Sequence, residues 1–367
     1  MSRCRQAGRS TGQCTKEENS MLRIWWDKLF GPKTANHAEA LVPTVEAVGE
    51  VTPVPAPVEA PPVSAEPIIA IRAGVLATMF KDFHSHRATD RGNEETGWLL
   101  LGRRDGRGAT IEAALPPGEF RDAGMAHVNM NSTAQSVAMR LLKRAHSHLD
   151  VLGVAHTHPG RMCRPSQGDY QGDSQWVPYL VQKEGIFAIG VWGMEKNNLN
   201  SLPDKANMEQ DDDAEVRGDA NRLNTIHEDG RAQFHWYALA AGDQWYRHQA
   251  LQTVEGDDLA ATILGHWPVI EQYAGSIDRL IRMQGHLELN LLPLGNGDAP
   301  ALLMRQPLPR PGEELQVVLQ GREVVFFRMV QGEPEEIEAP AERLDSAFYE
   351  VMSRLTRGSR KEQQVWS

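Results

Sequence analysis

The chain has 367 residues, 41% of them hydrophobic and 24% charged, enough to bury one large core or two modest ones. Asp plus Glu outnumber Lys plus Arg by 49 to 38, and the formal net charge of −11 argues against nucleic acid as a main partner. No apolar run approaches the roughly 18–20 residues of a membrane span; three cysteines, Cys4, Cys14 and Cys163, cannot build a disulfide framework, and with no secretory signal ahead of them a cytoplasmic setting is expected.

Residues 1–33 form a basic arm, with seven Lys or Arg against Glu17, Glu18 and Asp27. Within it, Met21–Phe30 is short, aromatic and partly charged. Such a segment suits docking on a partner, resting at a membrane surface, or packing as a helical turn on its own protein. Met21 offers a second start for the chain. From 34 to 66 Lys and Arg vanish and five glutamates appear, and seven of the 22 prolines fall between Pro43 and Pro67. That composition favours extended polyproline geometry with little to bury, and a disordered linker is expected.

Order is expected from Pro67. A strand over 67–72 precedes an amphipathic helix over 74–86, with Val75, Leu76, Met79, Phe80 and Phe83 at helical spacing. The continuous apolar run 96–102 reads as a buried strand, turned at Arg103–Gly106 into a hairpin partner over 109–115. Ser132 or Thr133 caps a helix over 132–147. Strands are expected at 151–156 and 186–192, then a polar surface insertion over 196–230 with an acidic cluster at Asp211, Asp212 and Asp213. Residues 234–239 and 245–248 suit a closing hairpin. Strands interleaved with helices predict a mixed α/β (α+β) domain over 67–250. Residues 251–367 predict a small accessory α+β domain: a helical stretch near 256–283, strands at 300–306, 315–320 and 323–330, and a terminal helix near 341–356.

Three His-x-His pairs occur: His84/His86, His146/His148 and His156/His158. The first two fall inside predicted helices, where residues two apart diverge and cannot share an ion. The third sits at a strand end, where they face one side, as two imidazoles on one metal require. A tight loop follows, and Pro165-Ser166 opens a helix whose first turn holds Asp169. Two histidines and a carboxylate, with a fourth position open to water, form a catalytic rather than a structural zinc pattern. Ser166-x-x-Asp169 is equally a capping box, in which neither residue need touch a metal. Chance places both residues at these offsets about once in a hundred such chains. Peptide hydrolysis needs a base as well, and Glu94 and Glu95 stand where the buried strand begins.

Glu95-Thr96-Gly97-Trp98-Leu99-Leu100-Leu101-Gly102, then His156-Thr157-His158-Pro159, then, after the seven residues 159–165, Ser166-Gln167-Gly168-Asp169, resembles the JAMM (MPN+, JAB-domain) metalloprotease signature. Gly97-Trp98 departs from the small-residue pair that the family carries after its Glu. Glu94 and Glu95 both remain candidates for the base, and Glu95 is favoured because it aligns with the strand. The resemblance covers about 67–250. It implies a curved mixed sheet flanked by helices, one zinc ion held by His156, His158 and Asp169, Glu95 as the residue that activates water, and Ser166 beside the tetrahedral oxyanion. It also implies a deubiquitinase-like isopeptidase or peptidase that acts after the C-terminal tail of a ubiquitin-like protein. In prokaryotes similar proteins accompany activating and conjugating enzymes, some of them in antiviral systems. Relatives that release sulfur carriers, a DNA-repair-associated group and non-catalytic scaffolds are the rival readings.

A chain lacking residues 1–66 is therefore predicted to fold and cleave like the full chain, as melting and turnover would report. Collapse of solubility would make the arm part of the core.

Overall fold

The computed structural model describes residues 68–106, 108–124, 128–193, 224–226, 231–292, 300–339 and 343–363. The basic arm, the linker and the acidic cluster at 211–213 lie outside the described residues.

Strand β1 (Ile68–Arg72) runs into helix α1 (Ala73–Arg87), and β2 (Gly97–Asp105) and β3 (Gly108–Leu115) form the expected hairpin. Two short strands follow, β4 (Asp122–Ala123) and β5 (Val128–Asn129), which pattern alone did not predict. Helix α2 spans Ser132–Ala145, capped by the Asn131 side chain rather than by Ser132 or Thr133. Next come β6 (Asp150–Thr157), α3 (Gln167–Trp176), β7 (Glu184–Trp192), β8 (Asn224–Ile226), β9 (Ala232–Ala240), β10 (Arg247–His248) and β11 (Leu251–Val254). These build a mixed sheet in the order β10-β9-β7-β6-β2-β3-β1-β11, with β8 also on β9. The hairpin foreseen between 234–239 and 245–248 is present as the β9–β10 pair.

Residues alternate strictly across β2. Trp98 and Leu100 join the cluster under α1, with Val75, Met79 and Phe83, while Leu99 and Leu101 join the opposite cluster under α2 and α3. Burial on both faces explains why the run reads as continuously apolar rather than alternating. Trp98 is fully buried and donates its Nε1–H to Asp82 of α1 at 3.2 Å.

Three boundaries differ from expectation. The sheet does not stop at 250, because β11 pairs in parallel with β1 from Ile69↔Leu251 to Arg72↔Val254. The helical stretch near 256–283 is two helices, α4 (Ala261–Leu264) and α5 (Trp267–Met283), with Gly265 and His266 between them. Helix α2 ends at Ala145, so His146 and His148 lie beyond it rather than inside it. They still form no pair of ligands: the ring centroids stand 6.2 Å apart, and His148 is engaged by Glu112 at 2.6 Å.

A second, antiparallel sheet follows in the order β12 (Glu288–Leu292), β13 (Ala301–Pro307), β14 (Glu313–Gln320), β15 (Glu323–Val330) and β16 (Glu333–Ile337). Both edge strands, β12 and β16, were unforeseen. The last helix, α6 (Leu344–Gln363), outruns its predicted end. One apolar cluster joins the two sheets: Val137 and Leu141 of α2, Ile270 and Ile277 of α5, Leu315 of β14 and Phe348 of α6 belong to it.

Asp258, between β11 and α4, is buried, and its Oδ1 accepts the N–H groups of Ala260 (2.8 Å) and Ala114 (3.4 Å). Burial, with the nearby Asp82 charge adding to it, pushes its carboxyl up to about 6 against those donors. A carboxyl whose pKa rises on folding binds its proton more tightly in the native state. Its cost is therefore absent below the unfolded value near 3.8 and fully developed above about 6. Asp258→Asn, which keeps the acceptor oxygen, is predicted to stabilise the protein at pH 7.5 by up to about 3 kcal/mol. The gain should vanish toward pH 4, as melting curves across that range would show.

Candidate metal centre

Strand β6 delivers His156 and the residue after its end, His158, to one side of the sheet, both buried. Their Nε2 atoms stand 3.1 Å apart. The Nδ1 of His158 meets the Met162 carbonyl at 2.7 Å. A carbonyl only accepts, so Nδ1 carries the hydrogen and Nε2 presents its lone pair to the centre. The loop that supplies this carbonyl is itself tied down, because Tyr237 of β9 donates its hydroxyl to the Cys163 carbonyl at 2.7 Å.

Asp169 enters from the first turn of α3. Ser166 caps that helix: its Oγ accepts the Asp169 N–H at 3.2 Å, and its own N–H donates to Asp169 Oδ2 at 2.5 Å. The capping box and the metal pattern are thus one arrangement rather than alternatives. The capped carboxylate puts Oδ1 3.3 Å from His156 Nε2 and Oδ2 3.6 Å from His158 Nε2. Zinc bonds of about 2.0–2.1 Å at tetrahedral angles separate neighbouring ligand atoms by about 3.3–3.4 Å. The two histidine nitrogens, 3.1 Å apart, stand close to that figure with one carboxylate oxygen of Asp169 beside each, and among the described residues these three form the one cluster of metal-ligating side chains.

The electrostatics favour a cation. Burial opposes charge on His156, yet the hydrogen bond and charge of Asp169, with Glu95 and Asp173 adding to them, carry its pKa above the ordinary imidazole value. Burial likewise pushes the Asp169 carboxyl up, but His156, His158 and the Ser166 N–H together hold it far below the carboxylate range.

Glu95 precedes β2, where the strand closes on β6. Thr157 donates its N–H to the Thr96 carbonyl at 2.8 Å, and Thr96 donates its own to Thr157 Oγ1 at 3.0 Å. Gly97 faces His156 in register, and a Cβ there would lie 2.7 Å from the Ala155 carbonyl oxygen. Glu95 is 4% exposed, and its charge reaches His156. Glu94 instead turns to Arg91, 2.6 Å away.

Sequence reasoning missed Asp173, one turn beyond Asp169 on α3. Its oxygens accept the Tyr246 hydroxyl at 2.6 Å and the Trp176 Nε1–H at 3.1 Å. Burial pushes this carboxyl up to about 7 despite both donors and the His156 charge. The i,i+4 spacing from Asp169 was the available signal. Of the other expected features, His84 packs its ring on Trp192 within 5.4 Å, and burial raises the Cys163 thiol, which suits an inert loop residue.

The chain is similar to the solution structure of protein DSY2949 from Desulfitobacterium hafniense, at 17% identity over 52% of this chain and 95% of that one, with a TM-score of 0.32, too distant to bear on the site. No curated protein matches it. Residues 76–201, which contain Glu95, His156, His158, Ser166 and Asp169, match the family described as prokaryotic homologs of the JAB domain. The match covers about a third of the chain, and the mixed sheet flanked by helices is consistent with a JAB-type fold over it.

Proposed function

We propose that the protein is a zinc-dependent peptidase or isopeptidase that cleaves after the C-terminal tail of a ubiquitin-like protein. The observation that carries this reading is the meeting of His156, His158 and Asp169 in one cluster of metal-ligating groups, with the carboxylate of Glu95 buried at the adjoining strand mouth. Zinc bound to these three residues supplies Lewis acidity and brings the pKa of water to about 7.

The remaining chemistry falls to the protein. Glu95, a carboxylate in a dry strand mouth, takes the proton of the attacking water and passes it to the leaving amine. The hydroxyl oxygen of Ser166 is occupied as an acceptor by the Asp169 N–H, which leaves its O–H to donate to the developing oxyanion, a contribution worth about 3–4 kcal/mol in comparable hydrolases. An extended peptide tail, able to add to a sheet edge as a strand, suits a centre built at strand ends. Ubiquitin-like proteins and their conjugates are the partners this reading implies, with activating and conjugating enzymes of the same system alongside. Among the described residues no helix is long and apolar enough to cross a membrane.

Zinc content needs no substrate and comes first. Wild type is expected to hold about one zinc per chain and His156→Ala none. Asp169→Ala should lose the metal together with about 1 kcal/mol of stability from the broken cap. A well-folded wild type that takes up no zinc would favour a scaffold.

Glu95→Gln is expected to bind zinc normally while hydrolysis of ubiquitin-like fusions falls by about a thousandfold. Unchanged turnover would remove Glu95 from the chemistry, and an equal loss in Glu94→Gln would show the assignment to be reversed.

A further inference from the structure

Helix α5 belongs to the C-terminal part of the chain, yet one of its side chains is built into the loop whose Gly124 carbonyl accepts the Glu95 N–H. Glu271 is 7% exposed, and its carboxylate faces the turn at Gly118–Arg121. Oε2 accepts the Glu119 N–H at 3.0 Å, while Oε1 accepts the Phe120 N–H and the Asn131 Nδ2–H, each at 3.1 Å. Successive backbone N–H groups that converge on an anion form a nest. Gly118 allows it twice over: its φ is +92°, and a Cβ there would run into Glu271 Oε1.

From that turn the hydrogen bonds lead without a gap to Glu95. Arg91 donates to the Glu119 and Arg121 carbonyls at 3.1 and 3.3 Å, and through Nε to Glu94 at 2.6 Å. Arg121 donates to His86 Nδ1 at 3.2 Å, which leaves His86 Nε2–H to donate to the Glu94 carbonyl at 2.9 Å. Glu95 donates its own N–H to the Gly124 carbonyl at 2.7 Å, on the same loop. Glu94, His86, Arg91 and Arg121, otherwise without a role, all serve to fix the segment that ends in Glu95.

We propose that Glu271 is a positioning residue for Glu95, so that the C-terminal part of the chain sets the placement of the proton acceptor relative to the metal ligands. This rests on the assignment of Glu95 made under Proposed function. It predicts that loosening the nest loosens the strand mouth and leaves the ligands in place.

Amide hydrogen exchange on the full-length, zinc-loaded protein tests it without a substrate, comparing wild type, Glu271→Ala and Glu271→Gln. In the Ala variant, exchange at Glu119, Phe120 and Glu95 should rise together by about tenfold or more, with zinc stoichiometry unchanged. The Gln variant keeps one acceptor oxygen and should fall between. If the Ala variant does not fold, the Gln variant decides: exchange at Glu95 must rise with that at Glu119. Loosening at Glu119 and Phe120 with Glu95 as protected as in wild type overturns the proposal, as does loss of zinc with the nest intact. Where the wild type cleaves a ubiquitin-like fusion, kcat should fall with KM nearly unchanged in the Ala variant and recover in part with Gln. A wild type that binds zinc but cleaves nothing counts against the hydrolase reading alone, because exchange still decides the mechanical link.

Discussion

The centre depends on how closely two strands meet at one end. Where β2 meets β6, Thr96 and Thr157 exchange hydrogen bonds, one through backbone and one through a hydroxyl, and both residues are almost fully buried. An orphaned buried donor costs about 1–3 kcal/mol, so the hydroxyl of Thr157 holds the strand mouth shut rather than decorating it. The two strands bring different groups to the site: β6 presents the imidazoles, and the residues leading into β2 present the carboxylate. Gly97 lets them approach, since any side chain there would strike the backbone of β6. The register shifts further along β2, at Leu100/Leu101 against β6 and at Leu101/Gly102 against β3, leave this end undisturbed.

The third candidate ligand arrives by a different route. Asp169 is aimed by the start of a helix, and the same carboxylate both satisfies the Ser166 N–H and faces the two histidines. One group thus serves helix capping and stands where an ion would bind. The N–H at this helix start adds to the two histidines in keeping Asp169 ionised, as an ion would require. Behind it Asp173 accepts the Tyr246 hydroxyl from the β9–β10 connection and the Trp176 Nε1–H from the end of α3 itself, so the helix is tied to that connection by a polar contact as well as by apolar packing.

Much of this was legible in the chain. The run Trp98–Leu101 is buried on both faces, and such runs announce a central strand without structural help. His156 and His158 were separable from His84 and His86 because strand periodicity, unlike helical periodicity, points alternate residues together, whereas His146 and His148 were set aside on a helix that ends before them. What stayed hidden depended on distance in sequence. Glu271 lies 152 residues from Glu119, and no local pattern joins a glutamate in one helix to amides in a remote turn. Strand β11 is four residues long and partly exposed, so its pairing with β1 leaves no periodic trace. Asp173 reads as an ordinary acidic helix residue until Tyr246 is brought beside it.

The C-terminal sheet ends in β16, a strand of sequence Glu-Pro-Glu-Glu-Ile that is exposed along nearly its whole length. A sheet edge offers unpaired N–H and C=O groups to any passing strand. Pro334 lacks the N–H that such a strand would need, and Glu333, Glu335 and Glu336 would set like charges against a second copy of the same edge. The sheet can therefore end in water without lengthening into a chain of molecules. An extended peptide tail that reached this edge would meet the same obstacle.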